Sequence, residues 1–325
     1  MKKKKILITG SAGFIGFHLC KDLIRNKNLS LIGIDNVNNY YDVKLKKERI
    51  NILKNLGNNF KFIKIDLNSV KIKHLFFKEK FDVVIHLAAQ AGVRYSISNP
   101  EAYVVNNLNG FFNIINQSSK NKIKHFIFAS TSSVYGDNSK FPLKEHYNTD
   151  KPLTFYAATK KSNEVMAYSY SNIHKLPATG LRFFTVYGPY GRPDMALYKF
   201  ANSILKNKFL TMFNYGKHKR DFTYIDDVTN AIKKIISKPS VEKIPFQLFN
   251  IASSSPENLK KFLKFIENRL DKKAKIKYLP LQKGDIYQTF GDTSRLKKKI
   301  NFKIKTSLED GIKKYINWFL KKYKS

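Results

Sequence analysis

The chain has 325 residues, and 60 Lys and Arg against 24 Asp and Glu leave it a formal charge of +36. A single cysteine, Cys20, excludes a disulfide framework and a cysteine-built zinc site, and no apolar run reaches the roughly 18 residues of a membrane span. At about 100–200 residues per domain, the length fits one large domain or two intimately joined ones. Only eight of the 60 basic residues are arginine, and the lysines are scattered without stripe or tail. That distribution reads as solvated faces rather than a nucleic-acid groove, while the positive field favours small anionic ligands. Four lysines precede Ile6, but the apolar run stops after Ile8 and is too short for a secretory signal. The expectation is a soluble, cytoplasmic protein with neither nucleic acid nor membrane as partner and no bound metal.

In chain order, Ile6-Leu7-Ile8, Leu31–Ile34, Phe60–Ile65, Val83–Ala89, Phe126–Ala129 and Ala178–Phe183 read as strands. Ile15–Arg25, Ala102–Ser119 and Tyr156–His174 have helical spacing and length. Short strands that are apolar on both faces, alternating with helices, predict an α/β fold with a parallel sheet covered on both sides. From about Thr185 the rhythm breaks. Helices near Met195–Lys206, Asn258–Arg269 and Leu308–Lys322 mix with strands near Gln247–Ile251 and Ile276–Leu279. With no linker or repeat between the parts, the site is expected in the cleft between them.

Gly10, Gly13 and Gly16 follow the first strand directly and open a helix. Glycines there permit a tight turn, and the helix N-terminus offers N–H groups to a pyrophosphate. The next strand ends at Asp35, nineteen residues after Gly16. A carboxylate there accepts hydrogen bonds from a ribose and repels a 2′-phosphate, which favours NAD over NADP. Asp66 and Leu67 close the third strand, within reach of the adenine. The expected architecture is a Rossmann-type doubly wound sheet over residues 1–184 that binds NAD. Residues 185–325 form a smaller α/β domain for a second substrate, partly interleaved with the first.

The spacing Gly-x-x-Gly-x-x-Gly resembles the extended short-chain dehydrogenase/reductase superfamily. Three further segments agree: His86-Leu87-Ala88-Ala89-Gln90, Thr131-Ser132-Ser133-Val134-Tyr135-Gly136, and Tyr156-Ala157-Ala158-Thr159-Lys160. The resemblance implies cofactor contacts from Phe14, Ile15, Asn36, Leu87, Ala88, Ala89, Gln90 and Asn106, in addition to those already named. Tyr156 and Lys160 stand i, i+4 on one helix face. A phenol near pKa 10 is a poor base at neutral pH, and a nearby cation favours its phenolate. By the resemblance Tyr156 is the general acid/base, Lys160 orients the cofactor ribose and tunes Tyr156, and Thr131 completes the triad.

The second half is similar to the nucleotide-sugar branch of that superfamily, through Leu181–Pro189, Gly191–Met195 and Arg220–Asp227. Arg220 matches the position that binds the diphosphate of a UDP-sugar, and the loop Gln282-Lys283-Gly284-Asp285 resembles one that touches the uridine ribose. Within the branch, Ala89–Ser96, with Arg94, and the stretch from Tyr156 to Asp227 resemble the UDP-glucuronate 4-epimerases. There Ser132, Ser133, Thr185 and Arg192 face the sugar carboxylate. Related dehydratases carry Asp-Glu after the catalytic Thr, and decarboxylases carry a Glu two places after it. Here those positions are Ser132 and Ser133, so no extra acid is supplied, and epimerisation needs none.

The resemblance therefore implies NAD-dependent C4 epimerisation of a UDP-sugar, UDP-glucuronate to UDP-galacturonate, through a 4-keto intermediate. UDP-glucose or UDP-N-acetylhexosamine 4-epimerisation is the alternative substrate reading. A non-catalytic nucleic-acid-binding protein is a remote one, suggested only by the charge. Helices Ala102–Ser119 and Tyr156–His174 match the pair that forms the dimer interface in the family, so a homodimer is expected.

Overall fold

The computed structural model describes residues 3–282 and 284–323. Its strands are β1 (Lys4–Thr9), β2 (Leu29–Asp35), β3 (Phe60–Lys64), β4 (Val83–His86), β5 (His125–Thr131), β6 (Ala178–Phe183), β7 (Thr185–Tyr187), β8 (Phe209–Met212), β9 (Lys219–Tyr224), β10 (Phe246–Ile251), β11 (Pro256–Asn258) and β12 (Lys275–Tyr278). Its helices are α1 (Phe14–Leu23), α2 (Val43–Leu56), α3 (Lys71–Glu79), α4 (Tyr95–Ser98), α5 (Pro100–Tyr103), α6 (Gly110–Lys120), α7 (Phe155–His174), α8 (Ala196–Leu205), α9 (Ile225–Ile235), α10 (Leu259–Leu270), α11 (Ser294–Ile300) and α12 (Leu308–Tyr323).

Seven strands pair in the order β10-β6-β5-β4-β1-β2-β3, every pair parallel. Side chains alternate across a strand, and β1 shows the consequence. Ile6 and Ile8 pack with Phe17, Leu19 and Leu23 of α1 on one face, while Leu7 packs with Phe111, Ile114 and Ile115 of α6 on the other. Strand order reverses between β1 and β4, and at such a switch point the crossovers diverge and leave a crevice at the carboxyl ends of the strands. Thr9 and His86 end these two strands side by side, so the glycine turn and the segment after His86 both open into that crevice.

Three departures from the sequence-based expectations carry physical information. The second half returns a strand to the large sheet, because β10 pairs with β6 in register from Ala178 with Phe246 to Phe183 with Ile251. The predicted continuous helix over 102–119 is divided into α5, a wide π-helical segment at Val104–Asn109, and α6. Within that segment Asn106 donates to the Ala102 carbonyl at 2.7 Å, while Asn107 reaches out to the backbone of Gln90. Polar side chains thus compete with the regular i to i−4 ladder. The strand expected over Val83–Ala89 ends at His86, freeing Leu87–Gln90 to line the crevice.

The smaller sheets β11-β9-β7 and β12-β8 lie in the second half, packed on α10 through a stacked pair, Phe222 and Phe262, with ring centroids 4.3 Å apart. Helix α7 is fixed to the sheet by a buried ion pair. Arg182 on β6 donates from Nε and Nη2 to the two carboxylate oxygens of Glu164 at 2.8 and 2.7 Å, and Ser130 donates to the same carboxylate. Both partners are under 5% exposed, at 3% and 4%. Removing one partner of such a pair leaves an uncompensated buried charge, so Glu164→Gln should destabilise the protein by about 3–5 kcal/mol. Urea denaturation measures it, and a loss below about 1 kcal/mol would assign α7 docking to apolar packing instead.

Candidate active site

At the first turn the backbone conformation itself demands glycine. Gly10 has φ +70, and a Cβ there would lie 2.7 Å from the Ala88 backbone nitrogen. A Cβ on Gly16 would lie 2.1 Å from the Gly10 carbonyl oxygen. The turn closes with Gly13 N–H donating to the Gly10 carbonyl at 2.9 Å, and Gly13 is the N-cap of α1. Asp35 holds the same turn from the side, its carboxylate accepting from Ala12 N–H at 3.1 Å and Val37 N–H at 2.8 Å. Burial is the largest influence on Asp35 and leaves its pKa above the ordinary carboxylate value despite those donors.

Arg49 on α2 was not singled out from the sequence, yet it is fully buried under this turn. It donates to the Ala12 carbonyl at 2.7 Å, the Tyr41 hydroxyl at 2.7 Å and the Tyr190 carbonyl at 2.6 Å. Its rarity as an arginine among lysines was the available signal, since a fork of donors serves several carbonyls at once. Asn107 also escaped the sequence reading. It accepts from Gln90 N–H at 2.7 Å and donates to the Gln90 carbonyl and the Thr159 hydroxyl, linking the loop after β4 to α7.

These elements surround one cavity of about 1190 Å3. It is lined by Gly10, Gly13, Phe14, Ile15, Gly16, Asp35, Asn36, Leu67, Leu87, Ala88, Ala89, Gln90 and Asn106 at one end. Thr131, Ser132, Ser133, Tyr156 and Lys160 lie along it, and Arg94, Thr185, Arg192, Arg220 and Asp285 complete it. Of the residues singled out from the sequence, only Asp66 is not part of the lining. It stands behind Asn36, whose amide donates to it at 2.9 Å, and acts on the cavity through that side chain. Burial opposes ionisation of Asp66, but the donors from Asn36 and Asn68 outweigh it and hold the carboxyl below its usual range.

Thr131 ends β5, and Tyr156 and Lys160 lie in the first turns of α7, whose N-cap Thr154 accepts from Ala157 N–H at 3.3 Å. Burial pushes the Tyr156 phenol up, and the Thr131 hydroxyl and the Arg192 charge pull it back only in part. Arg192 is thus a positive charge that acts on the phenol from elsewhere in the cavity lining. Lys160 is buried, donates to the Ala129 carbonyl at 2.9 Å, and is lowered by burial to about 8.

Further along the cavity, the Thr131 hydroxyl accepts from Ser133 N–H at 3.2 Å. Arg192 gives Nε and Nη2 to the Asp194 carboxylate at 2.9 and 2.7 Å. At the far end, Arg94 reaches across the cleft to Asp285 at 2.9 Å and lies over the Phe213 ring. Arg220 donates to the carbonyls of Lys219 and Tyr287 at 3.1 and 3.0 Å. Lys283 of the same late loop lies outside the described residues. Among the described residues no group of three or more His, Cys, Asp or Glu side chains could hold a metal ion, and no helix is long and apolar enough to cross a membrane.

The sequence pattern of the NAD dependent epimerase/dehydratase family matches residues 6–252. The chain belongs to that family. Proteins similar to it include Protein CapI of Staphylococcus aureus, 46% identical over 98% of this chain and 99% of that one. UDP-glucuronate 4-epimerase 5 of Arabidopsis thaliana is 41% identical over 97% of this chain and 75% of its own length. A crystal structure of UDP-glucuronic acid 4-epimerase from Bacillus cereus, in complex with UDP-glucuronic acid and NAD, superposes with a TM-score of 0.92. It is 34% identical and covers 98% of this chain and 100% of that one. In this epimerase/dehydratase chain the glycine turn, whose Cβ positions are filled by backbone, and the long lined cavity fit a dinucleotide lying along the switch point.

Burial of Lys160 has a consequence for stability. Its folded pKa of about 8 lies below the unfolded value near 10.4, so folding disfavours the protonated form. That penalty is full below about pH 8 and is relieved as pH rises toward about 10.4. In cofactor-free protein, the wild type should therefore gain stability relative to Lys160→Met as pH rises from about 8 to about 10. Parallel urea titrations measure the difference, and one independent of pH would show that Lys160 is not held low.

Proposed function

We propose that this chain is an NAD-dependent 4-epimerase of a UDP-linked sugar acid, converting UDP-glucuronate to UDP-galacturonate. The observation that carries the reading is the pairing of chemistries at one end of the cavity: a phenol and threonine hydroxyl beside an arginine, with serines where an extra catalytic acid would otherwise stand. The names of the similar proteins point the same way.

Glycine turn, Asp35, Asn36 and Lys160 would hold NAD, which when bound supplies the hydride-accepting ring. Tyr156 takes the proton of the C4 hydroxyl, assisted by the Thr131 hydroxyl, and returns it after the 4-keto sugar has turned over in the pocket. Burial holds its pKa up, and a positive charge brought near it by bound NAD would lower it toward the working range. Arg220 and Arg94 suit the diphosphate and the nucleotide beyond it, because guanidinium forks match phosphate oxygens. Arg192, with Thr185, Ser132 and Ser133, suits the sugar carboxylate. The intermediate is a β-keto acid prone to lose CO2, and a carboxylate held in a charge-paired pocket is restrained from that loss.

The same reading includes a homodimer. Val104, Val105, Phe112, Val165 and Tyr168 are exposed on the π segment, α6 and α7, an apolar group of the kind that marks a protein interface. Sedimentation should give twice the chain mass at micromolar concentration, and a monomer would remove this part of the proposal.

Steady-state assays with two variants test the chemistry. Tyr156→Phe should fold, retain NAD and lose about 10²–10⁴-fold in turnover. Arg192→Ala should lower kcat/KM for UDP-glucuronate about ten- to a hundredfold while changing activity on neutral UDP-glucose far less. Equal losses on both sugars would remove the reason for choosing the acid.

A further inference from the structure

The guanidinium of Arg192 is not free in the cavity. Nε and Nη2 donate to the two oxygens of Asp194, a bidentate pair along one edge of the fork. Nη2 also makes a long contact of 3.8 Å to Met195 Sδ, and Nη1 has no hydrogen-bond partner among the described residues. A guanidinium carries five N–H groups and can hold one carboxylate along its side edge and another at its end. Its end edge, on the Nη1 side, therefore remains available.

Asp194 is itself held in place. The Tyr40 hydroxyl donates to its Oδ2 at 3.2 Å. Tyr40 comes from the loop after β2, and a Cβ on Gly92 would lie 2.2 Å from its hydroxyl oxygen. The glycine thus makes room for the phenol. Pro193, between Arg192 and Asp194, fixes one backbone dihedral of the short span that brings the two side chains together. Burial raises the Asp194 pKa, but the donors Arg192 and Tyr40 outweigh it and hold the group below the usual carboxylate range.

We propose that Asp194 is a specificity-determining positioning residue: it clamps Arg192 by its side edge, aimed by Tyr40, so that the end edge faces the carboxylate of a sugar acid. The inference rests on the function proposed above. It differs from competition, in which Asp194 would occupy the fork and have to be displaced. In a clamp, losing the Asp194 charge leaves the arginine mobile, and the acid substrate binds less well. A neutral sugar has no carboxylate on that edge and is indifferent.

The test uses full-length protein with its NAD, comparing wild type, Asp194→Asn and Tyr40→Phe. The readouts are KM and kcat for UDP-glucuronate, and the inhibition constant of UDP-glucose as a competing ligand. Asp194→Asn should raise KM for the acid about tenfold with kcat changed less than about threefold, and leave the UDP-glucose constant unchanged. Tyr40→Phe keeps the carboxylate and removes only its aim, so it should raise the same KM by about two- to threefold. It keeps the test open if Asp194→Asn does not fold. An unchanged or lower KM for the acid in Asp194→Asn overturns the clamp, the lower value pointing to competition. Parallel weakening of both sugars also overturns it, in favour of a merely structural role. Wild-type protein that does not epimerise UDP-glucuronate sinks the proposed function instead, an outcome distinct from normal wild-type turnover with indifferent variants.

Discussion

The approach of backbone to backbone at the first turn is the constraint on which the rest depends. Gly10 lies against Ala88, and Gly16 against Gly10, with no space for a Cβ at either. That contact joins the loops after β1 and β4 across the point where the sheet changes direction, and it leaves the helix N-terminus bare toward the cavity. Asp35 and Arg49 then grip Ala12, one at its N–H and the other at its carbonyl. A turn held from both sides is a fixed wall of the cavity, and α7, which carries Tyr156, is held opposite it by Glu164 and Thr159.

Electrostatics are divided between surface and interior. The excess of lysine covers the outside, where it supplies a general attraction for anions. At buried joints and along the cavity, arginine is used where geometry matters. Arg182 holds α7 to β6, Arg49 holds the glycine turn, and Arg94, Arg192 and Arg220 line the cavity. Each is engaged by oxygen acceptors that fix its plane: Glu164, backbone carbonyls, Asp285 or Asp194. Planar forks lose less freedom per hydrogen bond than flexible ammonium groups do. Under the proposed function, that preorganisation is what a UDP-sugar with an extra carboxylate requires.

Sequence reasoning was strongest where function depends on local spacing. The glycine triplet, Asp35 at a strand end and the i, i+4 pair Tyr156 and Lys160 all reach the cavity as expected, and the strands of the first half fall within a few residues of their apolar runs. It was weakest where a residue matters only through a distant partner. Arg49 meets Ala12 across 37 positions and Asn107 meets Thr159 across 52, and neither pairing leaves a periodic trace. Asp194, two residues from Arg192, has no role legible in the spacing of its motif, because the bidentate contact depends on how the loop folds. The strand near Gln247–Ile251 and a partial interleaving of the two halves were expected, but which sheet the strand joins was not, since six residues of mixed burial give a weak signal for that.

The most direct test of the proposed chemistry follows the C4 hydrogen itself. UDP-glucuronate deuterated at C4 is incubated with the purified holoprotein in ordinary water, without added nucleotide, and the products are read by NMR. Internal transfer predicts UDP-galacturonate with the deuterium still on C4. Loss of the label to solvent, or no inversion at C4, would contradict it.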